Sequence, residues 1–265
     1  MDTDAAERFV ALVADPAGDP PLDEGALLIA ATATGIDVEA WMLRLDELAG
    51  AALAFPDARN APGLARVLFV DWAFAGNTAD YADPRNSFLP HVVDRRLGLP
   101  ITLSVLMIEI GRRIGLQLHG VGMPGHFLVG VAANPDEFVD PFHAGVVLDR
   151  GGCAARFAAQ YGAQVHFEDA FLAPTGSREI LLRMLNNLGQ SYGARRSPES
   201  RWVASLLLAF PELPPGERER AAEVLASVGA FAEAAATLAG LAETAPDGAR
   251  DQFHRRAVAY RARSN

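Results

Sequence analysis

Two residues in this chain stand where acid–base chemistry could be carried out. His126 follows Pro124-Gly125 and opens a predicted strand, Phe127 to Ala132. Asp140 closes a second predicted strand, Phe138-Val139-Asp140, a natural neighbour of the first. An imidazole and a carboxylate on adjacent strands can share a hydrogen bond. The carboxylate then orients the ring and stabilises its charged form, as in a nucleophile–base–orienter triad. Such a triad wants its nucleophile at a helix N-terminus, where free N–H groups and the helix dipole lower a thiol pKa. The apolar stretch Ile101 to Ile114, ending at Gly115, predicts a helix that begins in a suitable place. Spacing alone leaves equally open a purely structural His126–Asp140 pair.

The elements that must position these groups can be read outward from them. Leu118 to Met123 and Phe127 to Ala132 predict strands joined through Pro124-Gly125, and Val146-Val147-Leu148 predicts a further short strand after the turn Pro141 to Gly145. One helix followed by several antiparallel strands suggests an α+β domain. Before it, Asp4 to Ala14, Asp23 to Thr34 and Val38 to Leu53 carry apolar residues at helical spacing, with Asp37 as N-cap of the third. Ala65 to Phe74 predicts one more helix, stopping near Gly76-Asn77. Tyr81 to Pro100, rich in Pro, Asn, Asp and Ser, predicts a loop. After Ala173, amphipathic helices are expected over Arg178 to Tyr192, Ser200 to Phe210, Gly216 to Val228 and Phe231 to Thr244. Phe210-Pro211 and Ala245-Pro246 end successive helical stretches at close to the roughly 34-residue period of tetratricopeptide repeats. The stretch Arg195-Arg196-Ser197-Pro198 fits that pattern poorly, and a plain helical tail would explain the same residues.

Bulk properties exclude several classes. The 265 residues are 50% hydrophobic, enough for a real core, and the net charge is -10. All 23 basic residues are arginine. An acidic chain without a basic run is a poor partner for nucleic acid. The single cysteine, Cys153, forbids an internal disulfide and a multi-cysteine metal site and fits a reducing compartment. No basic n-region opens the sequence and no apolar run is long enough to span a bilayer, so a cytoplasmic protein without membrane contact is expected.

The sequence also carries Gly76-Asn77, Tyr81, Asp83-Pro84-Arg85-Asn86-Ser87, Arg95-Arg96, Gly98 and Pro100-Ile101. It continues with Gly120-Val121-Gly122-Met123-Pro124-Gly125-His126-Phe127-Leu128-Val129 and Asp140-Pro141-Phe142. In this order and spacing the chain resembles the SirB-type branch of transglutaminase-like proteins, over roughly Leu22 to Leu148 and on into the C-terminal helices. The resemblance implies an α+β fold with a helical N-terminal region and a transglutaminase/papain-like core of one central helix against a small antiparallel sheet. C-terminal tetratricopeptide-like helices would follow. It implies a domain over residues 1–175, with a helical lead-in (1–75) and a core (76–175), and a helical region over residues 176–265. Active members open the core helix with a G-x-C motif, begin one strand with His and place Asp, usually before Pro, on the next. His126 and Asp140-Pro141 match the last two. The G-x-C motif aligns with Gly98-Leu99-Pro100, so Pro100 stands where the thiol would be. Proline suits the first turn of a helix but brings no nucleophile.

Hydroxyls near this position are Thr102 and Ser104 on the helix and Ser87 in the preceding loop; each has a structural alternative as a cap, first-turn or loop residue. Cys153 lies beyond the strands and reads better as a small packing residue. Asn77, Tyr81, Asp83, Arg85, Asn86 and Glu109 are the remaining candidates for binding. Glu109, in an apolar helix with Arg112 and Arg113 just after it, needs a partner; an ion pair with one of the arginines, such as Arg95, Arg96 or Arg85, is expected, with a general-base role as the alternative. His126, Asp140 and His143 could offer metal ligands, but no paired-histidine helix supports a metal and none is expected, nor any cofactor. Two functions follow from the resemblance. One is a non-catalytic protein that binds a protein partner through its C-terminal helices, with any regulatory effect passing through that partner. The other is a hydrolase or acyltransferase on amide or ester bonds, with His126 as base, Asp140 as orienter and a hydroxyl or water as nucleophile. A His126 ring held through Nδ1, with its other nitrogen facing an open pocket, would favour chemistry. A ring plugged by Phe127 or Phe142 would favour a scaffold.

Overall fold

The computed structural model describes residues 1–195 and 197–264, so Arg196, within the poorly matching repeat stretch, lies outside the described residues. The chain forms two compact units, Asp2–Ala5 with Asp19–Met184, and Ala6–Gly18 with Leu185–Asn265.

The larger unit has the α+β architecture that the pattern of helix and strands implies. Its helical lead-in runs from α1 (Thr3–Leu12), which it shares with the other unit, through α2 (Leu22–Thr34) and α3 (Val38–Ala52) to α4 (Ala61–Arg66). Asp37 caps α3 as expected, its side chain accepting from Ala40 N–H. The predicted helix Ala65 to Phe74 is corrected: α4 widens into a π-type turn over Val67–Asp71, Ala73 takes φ 57°, and Ala75–Gly76 becomes β1. Close packing forces this, because a Cβ on Gly76 would lie 2.4 Å from the Phe142 ring. The expected loop Tyr81 to Pro100 also holds a 3-10 turn over Pro84–Ser87, then α5 (Leu89–Arg95) and β2 (Leu97–Gly98), which pairs in parallel with β1.

The central helix α6 (Pro100–Arg113) starts at Pro100 with Leu99 as N-cap. Pro100 to Gly111 are all buried, which its nearly unbroken apolar sequence requires. Burial of side chains such as Leu103 and Leu106, both without exposed surface, stabilises the fold by roughly 1.5–3 kcal/mol each. α6 packs against β3 (Leu118–Val121) and β4 (Leu128–Val131) of a sheet completed by β5 (Asn134–Asp140), β6 (Val146–Leu148) and β7 (Pro174–Thr175). The five-stranded order is β6-β5-β4-β3-β7, and every pairing is antiparallel. Between β6 and β7 the chain forms α7 (Arg150–Tyr161), which the sequence reading leaves unassigned. Asp149 caps it through Gly152 N–H, and Cys153 and Phe157 pack with Val121, Met123, Leu128, Phe138 and Leu172.

α8 (Ser177–Ala194) runs from this unit into the smaller one. There α9 (Ser200–Leu208), α10 (Pro215–Ser227), α11 (Phe231–Thr244) and α12 (Asp247–Arg261) follow in turn. α11 has the bounds expected from its periodicity, and α12 is an additional helix. Alanines let these helices approach around three leucines: Ala204, Ala221, Ala222, Leu225, Ala234, Leu238, Leu241 and Ala257 form their core. No helix among the described residues is long and apolar enough to cross a membrane.

Candidate functional site

The pairing of β4 with β5 builds the site. Val129 opposes Val139, so Asp140, the last residue of β5, comes to the start of β4, where the Pro124-Gly125 turn presents His126. Gly125 adopts φ +72°, a left-handed conformation that glycine tolerates best. His126 Nε2 lies 2.9 Å from Asp140 Oδ1. The pair is therefore formed, but through Nε2 rather than the Nδ1 considered from sequence. Nδ1 makes no hydrogen bond among the described residues. The His126 side chain is only 8% exposed. Phe142 stands edge-on to its ring at 6.3 Å and His143 lies tilted at 5.4 Å. Phe127 does not plug the ring; it packs over Gly120 and under Arg183.

Asp140 has no exposed surface and collects more donors than the sequence suggested. Oδ1 also accepts the His143 backbone N–H at 3.2 Å, and Oδ2 lies 2.9 Å from His143 Nδ1. Arg156 Nε sits 3.0 Å from Oδ2 as an ion pair, without the alignment of a hydrogen bond. Burial by itself would raise the Asp140 pKa. The His126 hydrogen bond and the charges of His126, His143 and Arg156 outweigh it and hold the carboxyl below the ordinary 3.8. His143 was weighed in the sequence only as a metal ligand; here it shares the carboxylate. Arg156 was missed because α7 was missed. The Asp149 cap and the Cys153/Phe157 pair at i, i+4 were the signals that could have found that helix. One turn past Arg156, Gln160 lies over the backbone at Gly125, where its amide would meet any added Cβ at 2.2 Å.

The start of α6 brings no nucleophile to this pair. Pro100 occupies the first helical position. Thr102 Oγ1 donates to Asn86 O at 2.6 Å and Ser104 Oγ to Pro100 O at 2.8 Å, and neither side chain has exposed surface. Both hydroxyls thus take the structural alternative: they satisfy buried backbone carbonyls. Ser87 is buried too, and its Oγ has no hydrogen-bond partner among the described residues. Cys153 is fully buried in α7, and burial followed by the Asp149 and Asp140 charges pushes its thiol up to about 11. It packs, as expected.

Most of the residues expected to bind a ligand instead knit the loop before α6. Asn77 Nδ2 donates to Asn86 Oδ1 at 3.0 Å, and Asn86 Nδ2 donates to Asp80 O at 2.8 Å. Asp83 is buried between Arg85 and Arg95, at 2.8 and 3.1 Å. Burial opposes its ionisation, but the hydrogen bonds and charges of those arginines hold its pKa below 3.8. Tyr81 and Arg85 stay largely exposed, and Tyr81 stands edge-on to Phe142 at 5.9 Å. The expected partners of Glu109 are also corrected. It pairs with Arg112 and Arg113 of its own helix at 2.9 and 2.7 Å, and both arginines also hold Asp23 of α2 at 2.7 Å. Helical i, i+3 and i, i+4 spacing favours these neighbours over the more distant Arg85, Arg95 and Arg96.

His126, Asp140 and His143 each bring a potential ligand atom within 4.8 Å of the others. Each carboxylate oxygen already receives an imidazole nitrogen and Arg156 adds a fixed positive charge. That arrangement suits a hydrogen-bonded cluster better than a cation.

Comparisons with known proteins bear on the family of the chain. The family model described as transglutaminase-like superfamily matches residues 38–186, more than half of the chain. A UPF0162 protein of Xylella fastidiosa (strain 9a5c) is 39% identical over 161 residues, 58% of this chain and 57% of the relative. The chain thus spans little more than half the length of that relative. The UPF0162 protein PA3419 of Pseudomonas aeruginosa is 34% identical over 185 residues, 68% of this chain and 67% of the relative. Human F-box only protein 21 is 31% identical over 131 residues, 46% of this chain and 20% of that protein. No solved structure matches. The matched region holds α6, the sheet and the His126–Asp140 pair, and the chain belongs to the transglutaminase-like superfamily and to the UPF0162 proteins.

Proposed function

We propose that this is a SirB-type transglutaminase-like protein that acts without covalent catalysis, as a cytoplasmic protein-binding or regulatory module. One observation carries the reading. Pro100 occupies the helix start where a thiol would sit, while Thr102 and Ser104 are buried with their protons on backbone carbonyls. Nucleophilic catalysis needs an accessible, activated side chain within reach of the base. The smaller unit supplies a candidate binding surface. A cavity of about 720 Å³ there runs between α8, α9 and α10, with Gly189, Leu207, Ala221 and Val224 among its lining residues. The helix pairs turning at Gly229-Ala230 and the prolines before α10 and α12 support a tetratricopeptide-like reading of this unit. The occurrence of a matching segment within the longer F-box only protein 21 supports a portable module.

The test is a turnover screen of the intact chain on amide, ester and thioester substrates, with His126→Ala alongside. We expect no turnover above that of His126→Ala. Turnover abolished by that substitution would reject the proposal. It would establish the second reading, a hydrolase in which His126 activates water. That reading is favoured by the retained, carboxylate-held His126 with an unbonded Nδ1. Partner binding is tested by capture on the intact chain and on Val224→Arg, which places a charge in the cavity; equal capture by both would remove the cavity from the proposal.

A further inference from the structure

We propose that the face of α7 beside His126 forms a subsite for an oxyanion, a carboxylate or phosphate group of the ligand, gripped by Arg156 with help from Gln160. The inference holds whether or not the site turns over substrate.

It follows from which polar groups are used. Both oxygens of Asp140 are occupied. Oδ1 takes His126 Nε2 and the His143 backbone N–H, and Oδ2 takes His143 Nδ1 and the Arg156 Nε contact. The carboxylate is fully buried with donors against both oxygens, so it presents no acceptor to a ligand. Arg156, by contrast, is only partly engaged. Its Nε atom is sealed from solvent, yet the side chain keeps 28% of its surface exposed. Its terminal nitrogens make no hydrogen bond with the described residues. They leave a planar pair of N–H donors whose geometry matches the two oxygens of a carboxylate or phosphate. Gln160 follows one helical turn later on the same face, is exposed and lies against Gly125, and its side-chain amide hydrogen-bonds to no described residue. The opposite face of α7, Cys153 and Phe157, is the apolar core. Asp140 and Arg156 balance in formal charge, so an incoming anion meets no surplus negative charge at the cluster itself. Arg150, near the start of the helix, is held instead by Asp136 and Asp169. What this face offers is chiefly N–H donors, from the Arg156 guanidinium and the Gln160 amide.

The experiment follows the imidazole Cε1–H signals of His126 and His143 by NMR in the intact chain. The probes are acetate and inorganic phosphate, added at constant ionic strength against chloride. A saturable shift of both signals with acetate or phosphate, and not with chloride, is expected in the wild type. Loss of one charge-assisted contact should weaken that binding about tenfold in Arg156→Gln. Arg156→Lys keeps the charge beside Asp140, and so the fold, while removing the paired donors; it should weaken binding as well. Which probe saturates first tells carboxylate from phosphate. Absence of a saturable shift up to about 100 mM of either probe, where even a weak site would fill, overturns the inference. So does binding by Arg156→Lys as tight as the wild type.

Discussion

Asp140→Asn is the sharpest test of the cluster. The substitution keeps the shape of the side chain and removes its charge, so His126, His143 and Arg156 lose their common acceptor. Removing one partner of a buried charge pair costs roughly 3–5 kcal/mol, and a single hydrogen bond to a charged group is worth about 1.5–3 kcal/mol. Arg156 and His143 are 28% and 47% exposed and can recover hydration, whereas His126, 8% exposed, cannot. We therefore expect a loss of about 2–4 kcal/mol, which at ordinary urea dependences lowers the unfolding midpoint by about 1–2 M. Trp41 and Trp72 report on the larger unit and Trp202 on the smaller, so the measurement is best made by tryptophan fluorescence in a Trp202→Phe background. The pH dependence supplies a second check. Asp140 has a depressed folded pKa, so its stabilisation is full above 3.8 and is lost as pH falls through the lower folded value. The gap between wild type and Asp140→Asn should be widest at neutral pH and close in acid. A loss under about 0.5 kcal/mol at pH 7, the scatter of ordinary surface substitutions, would refute the assignment of Asp140 as the hub; so would a gap that ignores pH.

Three further outcomes follow. Cys153, fully buried with its thiol pushed up to about 11, should resist alkylation in the native chain at pH 8 and label only in denaturant; rapid stoichiometric labelling, read by mass spectrometry, would contradict its placement. Gly76→Ala should destabilise by about 1–3 kcal/mol, because the new methyl would stand 2.4 Å from the Phe142 ring; an unchanged melting temperature would place β1 elsewhere. In the Asp23–Glu109 cluster, Asp23→Asn should cost more than Glu109→Gln at pH 7. Burial opposes ionisation of both carboxyls. The arginines overcome it at Asp23, which stabilises above 3.8, whereas burial and the Asp23 charge keep Glu109 raised, so its stabilisation is full below 4.5 and fades as pH rises through the raised value. Thermal unfolding of the two variants decides the order.

The central helix, the strands around His126 and Asp140, the Asp37 cap and the bounds of α11 were legible because each depends on local signals: apolar periodicity, turn residues and a capping side chain. Pro100 at the helix start was legible for the same reason, since proline favours the first turn wherever that helix packs. What the sequence could not decide were the contacts made at distance. Asn77, Asp83 and Asn86 look like ligand-binding residues in a polar loop, and only the fold turns them inward to hold the start of α6. Glu109 pairs with Arg112 and Arg113 of its own helix, but only the fold brings Asp23 of α2 to the same arginines. Arg156 and Gln160 reach the site because β3, β4, β5 and β6 fold α7 back beside His126. One buried carboxylate therefore serves two histidines and an arginine, an arrangement set by chain topology and by the cost of leaving any of these groups unpaired.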